Sequence, residues 1–437
     1  MFSKGVLVIF PFLAGLMPFC KERIILPPAF YLRFMFTLLK ENNRFAVIIL
    51  MLPLLFACQE EENQKNFTVK NTLDQERQRE TISIPAKELE ALIGKFGVEN
   101  LLIQEEGGEE VLLSQAVDMD GDGSIDEILF QTDLAPNAEK KFTIEGRAGG
   151  KALQPGSEIS TYSRFVPERI DDYTWENDRV AFRTYGPEAQ RITESGEPGG
   201  TLTSGMDAWL KRVEYPIIDK WYANHLKSPG AYHIDSGEGY DPYHVGDSRG
   251  VGGIGVWEND SLYVSKNFIS HQTIATGPIR TIFELSYAPW QAGERTIRET
   301  KRISLDLGSN LSRYEVVLES DQPLPNAAVG LTLHEQEGTI NANPDEGWFR
   351  YWEPMDGSEL GVGLVIDPAR VAEYKEHKVT TKDQSHLLVL ANPQQNKLTY
   401  WAGFGWNKSG QFKTPQEWDQ YLANFAKRIA SPVEVKF

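Results

Sequence analysis

Cysteine is almost missing from this chain of 437 residues. It has two, Cys20 and Cys58, both near the N-terminus. Positive charge is also scarce: 44 Lys and Arg face 62 Asp and Glu, a formal net charge of −18. Such a surface argues against binding nucleic acid or another polyanion by bulk attraction. An anionic partner has to be met by local Arg and Lys. Long apolar runs are missing too, and the stretch 45–56 is too short for a comfortable membrane span. Between Asn66 and Phe437 there is no low-complexity linker, charge block or internal repeat, which favours a single body over 66–437.

The stretch 45–56 follows Lys40 and Arg44 and leads into Ala57-Cys58. A basic region, a short apolar region and a small residue before Cys describe a secretory signal. The pattern resembles a bacterial lipoprotein signal, with Cys58 as the lipidated residue. Residues 1–57 then read as a leader, with Met35 as the true start and 1–34 as an upstream extension. Cleavage removes Cys20, so the mature chain has no disulfide and no free thiol for catalysis. It also removes six Lys/Arg and two Glu, taking the net charge from −18 to −22. Gln59-Glu60-Glu61-Glu62 resembles an acidic export tag, and 58–65 reads as a tether. The expected location is the outer membrane, through a lipid anchor.

Beyond the tether, most segments alternate at period two. Thr281-Ile282-Phe283-Glu284-Leu285 and Tyr314-Glu315-Val316-Val317-Leu318 are examples, and they read as half-buried strands. Helices are few. One opens at Thr414-Pro415-Gln416-Glu417, with Thr414 as N-cap and Glu417 closing a capping box. Trp418, Leu422, Phe425 and Ile429 then share a face. A short helix over 85–94, a helical turn over 205–213 and a last edge strand at 433–435 complete the reading. The sum is a large antiparallel β-sandwich with a few short helices.

One acidic loop stands apart. Asp118, Asp120, Asp122, Ser124 and Asp126 alternate around Gly121 and Gly123, between two apolar strands. The spacing matches the start of a calcium loop, but Leu129 stands where an EF-hand places its Glu. Two readings stay open: a structural calcium site, and a plain Asp/Gly hairpin turn.

Chemistry-bearing residues concentrate in 164–253, which holds three of the seven histidines. Trp175, Glu176, Asn177 and Arg183 form a first group, where an indole beside polar groups suits a sugar ring and its hydroxyls. Trp209 and Lys211 belong to a second, rich in cations and aromatics. The third is a Gly-rich loop with His233, Tyr240, Asp241, Tyr243, His244 and Arg249. His and Tyr are groups that transfer protons near neutral pH when tuned. His233, Asp235 and His244 lack a tight metal-ligand spacing. For each group the plain alternative is a core aromatic or a solvated charged face.

These blocks, with Asn267-Phe268, Gly277-Pro278-Ile279-Arg280 and Trp401-Ala402-Gly403-Phe404-Gly405-Trp406, resemble the domain-of-unknown-function 4861 family of Bacteroidetes. The resemblance implies a galactose-mutarotase-like β-supersandwich. It also implies a dehydratase that removes water from the non-reducing-end uronic acid of an ulvan-like acidic oligosaccharide, leaving a 4,5-unsaturated uronyl group. Such an elimination needs a base for the C5 proton, an acid for the C4 hydroxyl and a cation for the carboxylate, but no organic cofactor. On that expectation His233 or His244 is the base, Tyr243 or Tyr240 the acid, and Arg249 with Lys211 the clamp. Trp175 and Trp209 hold the ring. A polysaccharide lyase, a two-carboxylate glycoside hydrolase and a non-catalytic glycan-binding lipoprotein are the competing expectations.

Overall fold

A computed structural model describes residues 63–437. The leader, Cys58 and the acidic run up to Glu62 lie outside the described residues. The alternating segments become strands of antiparallel sheets. A nine-stranded sheet runs in the order Phe268–Ala275, Arg280–Tyr287, Arg295–Asp306, Leu311–Ser320, Lys397–Trp406, Ser358–Ile366, Trp348–Met355, Thr339–Asn343, with Trp290–Ala292 beside Arg295–Asp306.

Two five-stranded sheets form the facing layer. One runs Gly239–Tyr240, Asp207–Lys211, Ala181–Thr184, Asp172–Glu176, Tyr162–Val166. The other runs Ser261–Tyr263, Val251–Glu258, Ala327–Thr332, His386–Ala391, Val371–His377. A parallel bridge between Met206 and Gly250 joins them. One apolar core fills the space between the layers, with Phe182 and Leu210 from the first sheet, Val329 and Val389 from the second, and Phe283, Tyr314 and Phe404 from the nine-stranded sheet. The protein is a large antiparallel β-sandwich of the supersandwich kind, as expected.

A second core lies nearer the N-terminus. Gln64–Lys70, Glu139–Gly146, Leu101–Glu105, Val111–Leu112 and the last strand Glu434–Lys436 form one sheet; Arg77–Pro85, Glu127–Leu134 and Ser114–Val117 form another. Phe67, Ile82, Phe130 and Phe142 pack between them. The first strand starts within the expected tether, because Gln64 and Lys65 pair with Glu145 and Ile144.

Among the described residues there are four α-helices: α1 (Glu90–Phe96), α2 (Pro187–Glu194), α3 (Ile218–Lys227) and α4 (Pro415–Ala430). In α4 the Thr414 hydroxyl accepts the Glu417 N–H at 3.3 Å, and Glu417 accepts the Lys413 N–H at 2.6 Å. Its Trp418, Leu422 and Phe425 cover Trp348, Trp352 and Val365 on the outer face of the nine-stranded sheet. Gly361 permits that approach: a Cβ there would sit 2.7 Å from the Trp418 ring. The helical turn expected over 205–213 is instead a strand, Asp207–Lys211. All five of its residues are buried, since it lies inside a sheet between Ala181–Thr184 and Gly239–Tyr240.

Candidate functional site

Strand alternation sorts the residues of 164–253 by face. In the sheet that carries Asp172–Glu176, Ala181–Thr184 and Asp207–Lys211, Tyr173, Trp175, Phe182, Ala208 and Leu210 point into the main core. Their neighbours Asp172, Glu176, Arg183, Asp207, Trp209 and Lys211 are then on the other face. There α3 covers them, and Trp209 packs with Trp221, Tyr222 and Tyr232.

Trp175 is therefore no sugar platform. It is fully buried, stacks on Phe182, and donates its indole N–H to Ser312 Oγ at 2.9 Å. Glu176 and Lys211 pair at 2.8 Å with no solvent exposure. Glu176 also accepts the N–H groups of Ile217 and Ile218 at 2.9 Å, at the start of α3. Asn177 caps its own turn through Arg179 and Val180 and ties it to Asp306 and Ser309. Arg249 lies within the sandwich, held by Ser204 Oγ at 2.9 Å and Thr203 Oγ1 at 3.1 Å. Neither Arg249 nor Lys211 reaches solvent, so the expected carboxylate clamp is not built from them.

Arg183, Asp241, Trp209 and His233 do come together. Arg183 stands directly opposite Asp207 in the ladder. Its guanidinium donates to Asp207 Oδ2 at 2.8 Å and to Asp241 Oδ2 at 2.9 Å, and it lies over the rings of Trp209 and Tyr232. Asp172 accepts the Tyr222 hydroxyl at 3.0 Å and lies 3.8 Å from Arg169. Burial drives the Asp172 carboxyl up to about 6, against the pull of Arg183 and Arg169. Burial, then Asp207, pushes the Asp241 carboxyl well above its ordinary value. Three carboxylates thus share two guanidinium groups. Among the described residues, Arg169 Nη1, Asp172 Oδ1, Arg183 Nη1 and Asp241 Oδ1 find no hydrogen-bond partner. At the edge of this cluster His233 Nδ1 lies 2.7 Å from the Asp241 carbonyl, with its ring half-exposed. Donation from Nδ1 to that carbonyl would leave Nε2 as the basic nitrogen.

The same loop continues to a second group. Tyr240 donates to Asp356 Oδ2 at 2.9 Å, and burial, then Asp356, pushes its phenol up to about 12. Tyr243 is buried, edge-on to the His334 ring at 4.6 Å. His334 Nδ1 lies 2.6 Å from Glu353 Oε1, and Nε2 lies 2.9 Å from the His244 carbonyl. Burial lowers the His334 imidazole, but Glu353 outweighs it and leaves it above its ordinary value. His334 holds φ +37, a strained conformation for a non-glycine residue. His244 is half-exposed, with Nε2 3.2 Å from Asp383. His244, His334, Glu353 and Asp356 line an open groove of ≈ 180 Å³.

The profile described as "Domain of unknown function (DUF4861)" matches residues 69–435. The chain belongs to this family. It is 49% identical over 385 residues to "Uncharacterized protein P7" of Formosa agariphila, covering 87% of this chain and 96% of the relative. Two solved structures align over 86% of the chain at 10% identity. One is a protein in glycosyl hydrolase family 38 from Enterococcus faecalis, at TM-score 0.47 over 47% of its length. The other is an alpha-mannosidase from Enterococcus faecalis V583, at TM-score 0.46 over 46%. The chain spans about half of each, and a likeness this distant carries no function.

In this family member, Asp172, Asp207, Arg169, His334 and Glu353 are the site residues that sequence reasoning missed. Asp207 had a signal: a carboxylate inside the apolar run Met206–Leu210. His334 had another, opening a polar turn after the buried strand Ala327–Thr332. Gly246-Asp247-Ser248-Arg249-Gly250 has the spacing of a serine nucleophile elbow. Ser248, however, is fully buried and accepts from Thr332 Oγ1 at 2.7 Å, with no histidine on it.

In the acidic loop, ligand atoms of Asp118, Asp120 and Asp126 lie within 4.8 Å of one another. Asp122 is occupied by the Ser124 N–H at 2.7 Å, and neither residue joins that group. Backbone N–H groups of Gly123 and Gly121 hold the Asp118 carboxyl below its usual value. Three converging carboxylates form a hard-oxygen donor set that fits calcium.

Proposed function

We propose that the protein is a carbohydrate-active dehydratase. It would remove water from the non-reducing-end uronic acid of an ulvan-like oligosaccharide and leave a 4,5-unsaturated uronyl product. One observation carries the reading: a single short loop presents His244 on an open groove and Tyr240 hydrogen-bonded to Asp356 of that groove. His244 is the base that takes the C5 proton, with His233 the alternative on the same loop. The C–H electron pair forms the C4–C5 double bond as the C4–O bond breaks. Tyr240, whose phenol keeps its proton at neutral pH, supplies that proton to the departing hydroxyl, and water leaves. Arg212, next to Tyr240 and lying over the Trp406 ring, replaces Arg249 and Lys211 as the cation for the carboxylate. In this reading Cys58 anchors an exported lipoprotein to the outer membrane, and calcium holds the Asp118 loop.

The test is direct. Purified protein is incubated with saturated uronyl oligosaccharides and the products are weighed by mass spectrometry. Loss of one water at constant chain length, with new absorbance from the conjugated double bond, is expected. His244→Ala and Tyr240→Phe should each lower the rate by about 10²-fold or more. Full activity in both His244→Ala and His233→Ala would overturn the base assignment. A second reading is favoured by the acidic lining of the groove, where Glu335, Glu337, Glu353 and Asp356 gather. Two carboxylates flanking one bond hydrolyse glycosides. That enzyme would shorten the chain and add water rather than lose it.

A further inference from the structure

A second open cavity, of ≈ 220 Å³, lies where three parts of the fold meet. They are the strand Arg77–Pro85, the outer face of the nine-stranded sheet, and α4. Four arginines line it, Arg79, Arg280, Arg313 and Arg428, beside Trp401 and Tyr421. Each guanidinium is anchored by a carboxylate. Arg79 Nη1 lies 2.6 Å from Asp178, Arg280 Nη2 2.8 Å from Asp306, and Arg428 Nη2 2.6 Å from Glu80, while Arg313 Nη1 donates to Glu315. Anchoring orders these long side chains before any ligand arrives, which lowers the entropic cost of binding. It does not exhaust them. Among the described residues, Arg79 and Arg313 each keep Nε and Nη2 free of protein hydrogen bonds, and each is more than two-fifths exposed (44% and 41%).

The backbone is bent to present Arg79. The ladder with Glu127–Leu134 shifts register between Arg77 and Glu80, and Arg79 holds φ +46. A bulge of this kind re-aims a side chain, and the positive φ costs free energy in a non-glycine residue. Gly308 lets the side chain pass, since a Cβ there would lie 3.1 Å from Arg79 Cδ. Trp401 is part-exposed, with the Arg313 guanidinium 5.9 Å from its ring centroid. An indole face suits the C–H face of a sugar, and free guanidinium N–H groups suit a carboxylate or sulfate ester.

We propose that this cavity is a second saccharide site, which takes one sugar residue bearing a sulfate ester or a carboxylate. It is independent of the reaction assigned to the Tyr240–His244 loop. Isothermal titration of the full chain with glucuronic acid, glucose 6-sulfate, glucose and inorganic sulfate tests it. One or both acidic sugars should bind, with glucose and inorganic sulfate at least about tenfold weaker. Comparison of the two acidic sugars separates carboxylate from sulfate ester. Arg79→Gly, which suits the positive φ, should keep the fold and weaken binding at least about tenfold, as should Arg313→Gln. His244→Ala should leave the arginine-dependent binding in place. The proposal fails if neither acidic sugar binds or if inorganic sulfate binds as tightly as they do. It also fails if both arginine variants bind normally, or if His244→Ala abolishes binding.

Discussion

Arg183 shows how far one buried charge organises its surroundings. It stands between Asp207 and Asp241, under Trp209 and Tyr232, with almost no solvent contact. Replacing it by Met leaves two buried carboxylates without their cation. A loss of about 3–5 kcal/mol is expected, read from urea denaturation. Asp172 makes a separate prediction. Its folded pKa, about 6, lies above the unfolded value near 3.8. The native state therefore binds the extra proton, and the stability this contributes is present below about pH 4 and lost as pH rises through 6. Asp172→Asn should flatten the stability profile between pH 4 and 7, which denaturation at a series of pH values will show. At this scale the sequence was only partly legible. His233, Tyr240, Asp241 and His244 stood out because they crowd a Gly-rich loop. Their partners Asp172, Asp207, His334 and Glu353 come from distant strands, and nothing local marks who will meet whom.

Elements were easier to read than contacts. The helix α4 was visible from Thr414, Glu417 and its apolar face, since capping and periodicity are local properties. Thr414→Ala should cost about 1 kcal/mol, measured as a shift of the denaturation midpoint. The strand Asp207–Lys211 stands where a helical turn was expected over 205–213, although Asp207, Trp209 and Lys211 keep the two-residue spacing of a strand face. Tertiary cover from α3 makes that polar face a buried one, with Lys211 bound to Glu176 and Asp207 to Arg183. Alternation also decided the fate of the tryptophans. Trp175 and Trp209 read alike in the sequence, but they fall on opposite faces of one sheet, so one enters the main core and the other packs under α3 beside Arg183.

For the molecule as a whole, the acidic loop offers a test of global stability. If Asp118, Asp120 and Asp126 hold calcium, adding the ion should raise the melting temperature, a chelator should reverse the rise, and Asp120→Asn should abolish it. No gain with calcium would leave the loop a hairpin turn. The sequence by itself determined the class of the fold. Period-two alternation and frequent turn residues encode strands locally, and the scarcity of cysteine leaves a packed core to hold them. Its motifs also pointed to the family. Only the tertiary structure decided which polar residues face one another. Strand register sets Arg183 opposite Asp207, and the joining of three sheets brings His334 and Glu353 to the loop that carries Tyr240 and His244. Those contacts link residues far apart in the chain, and their energy comes from burial, which no local pattern records.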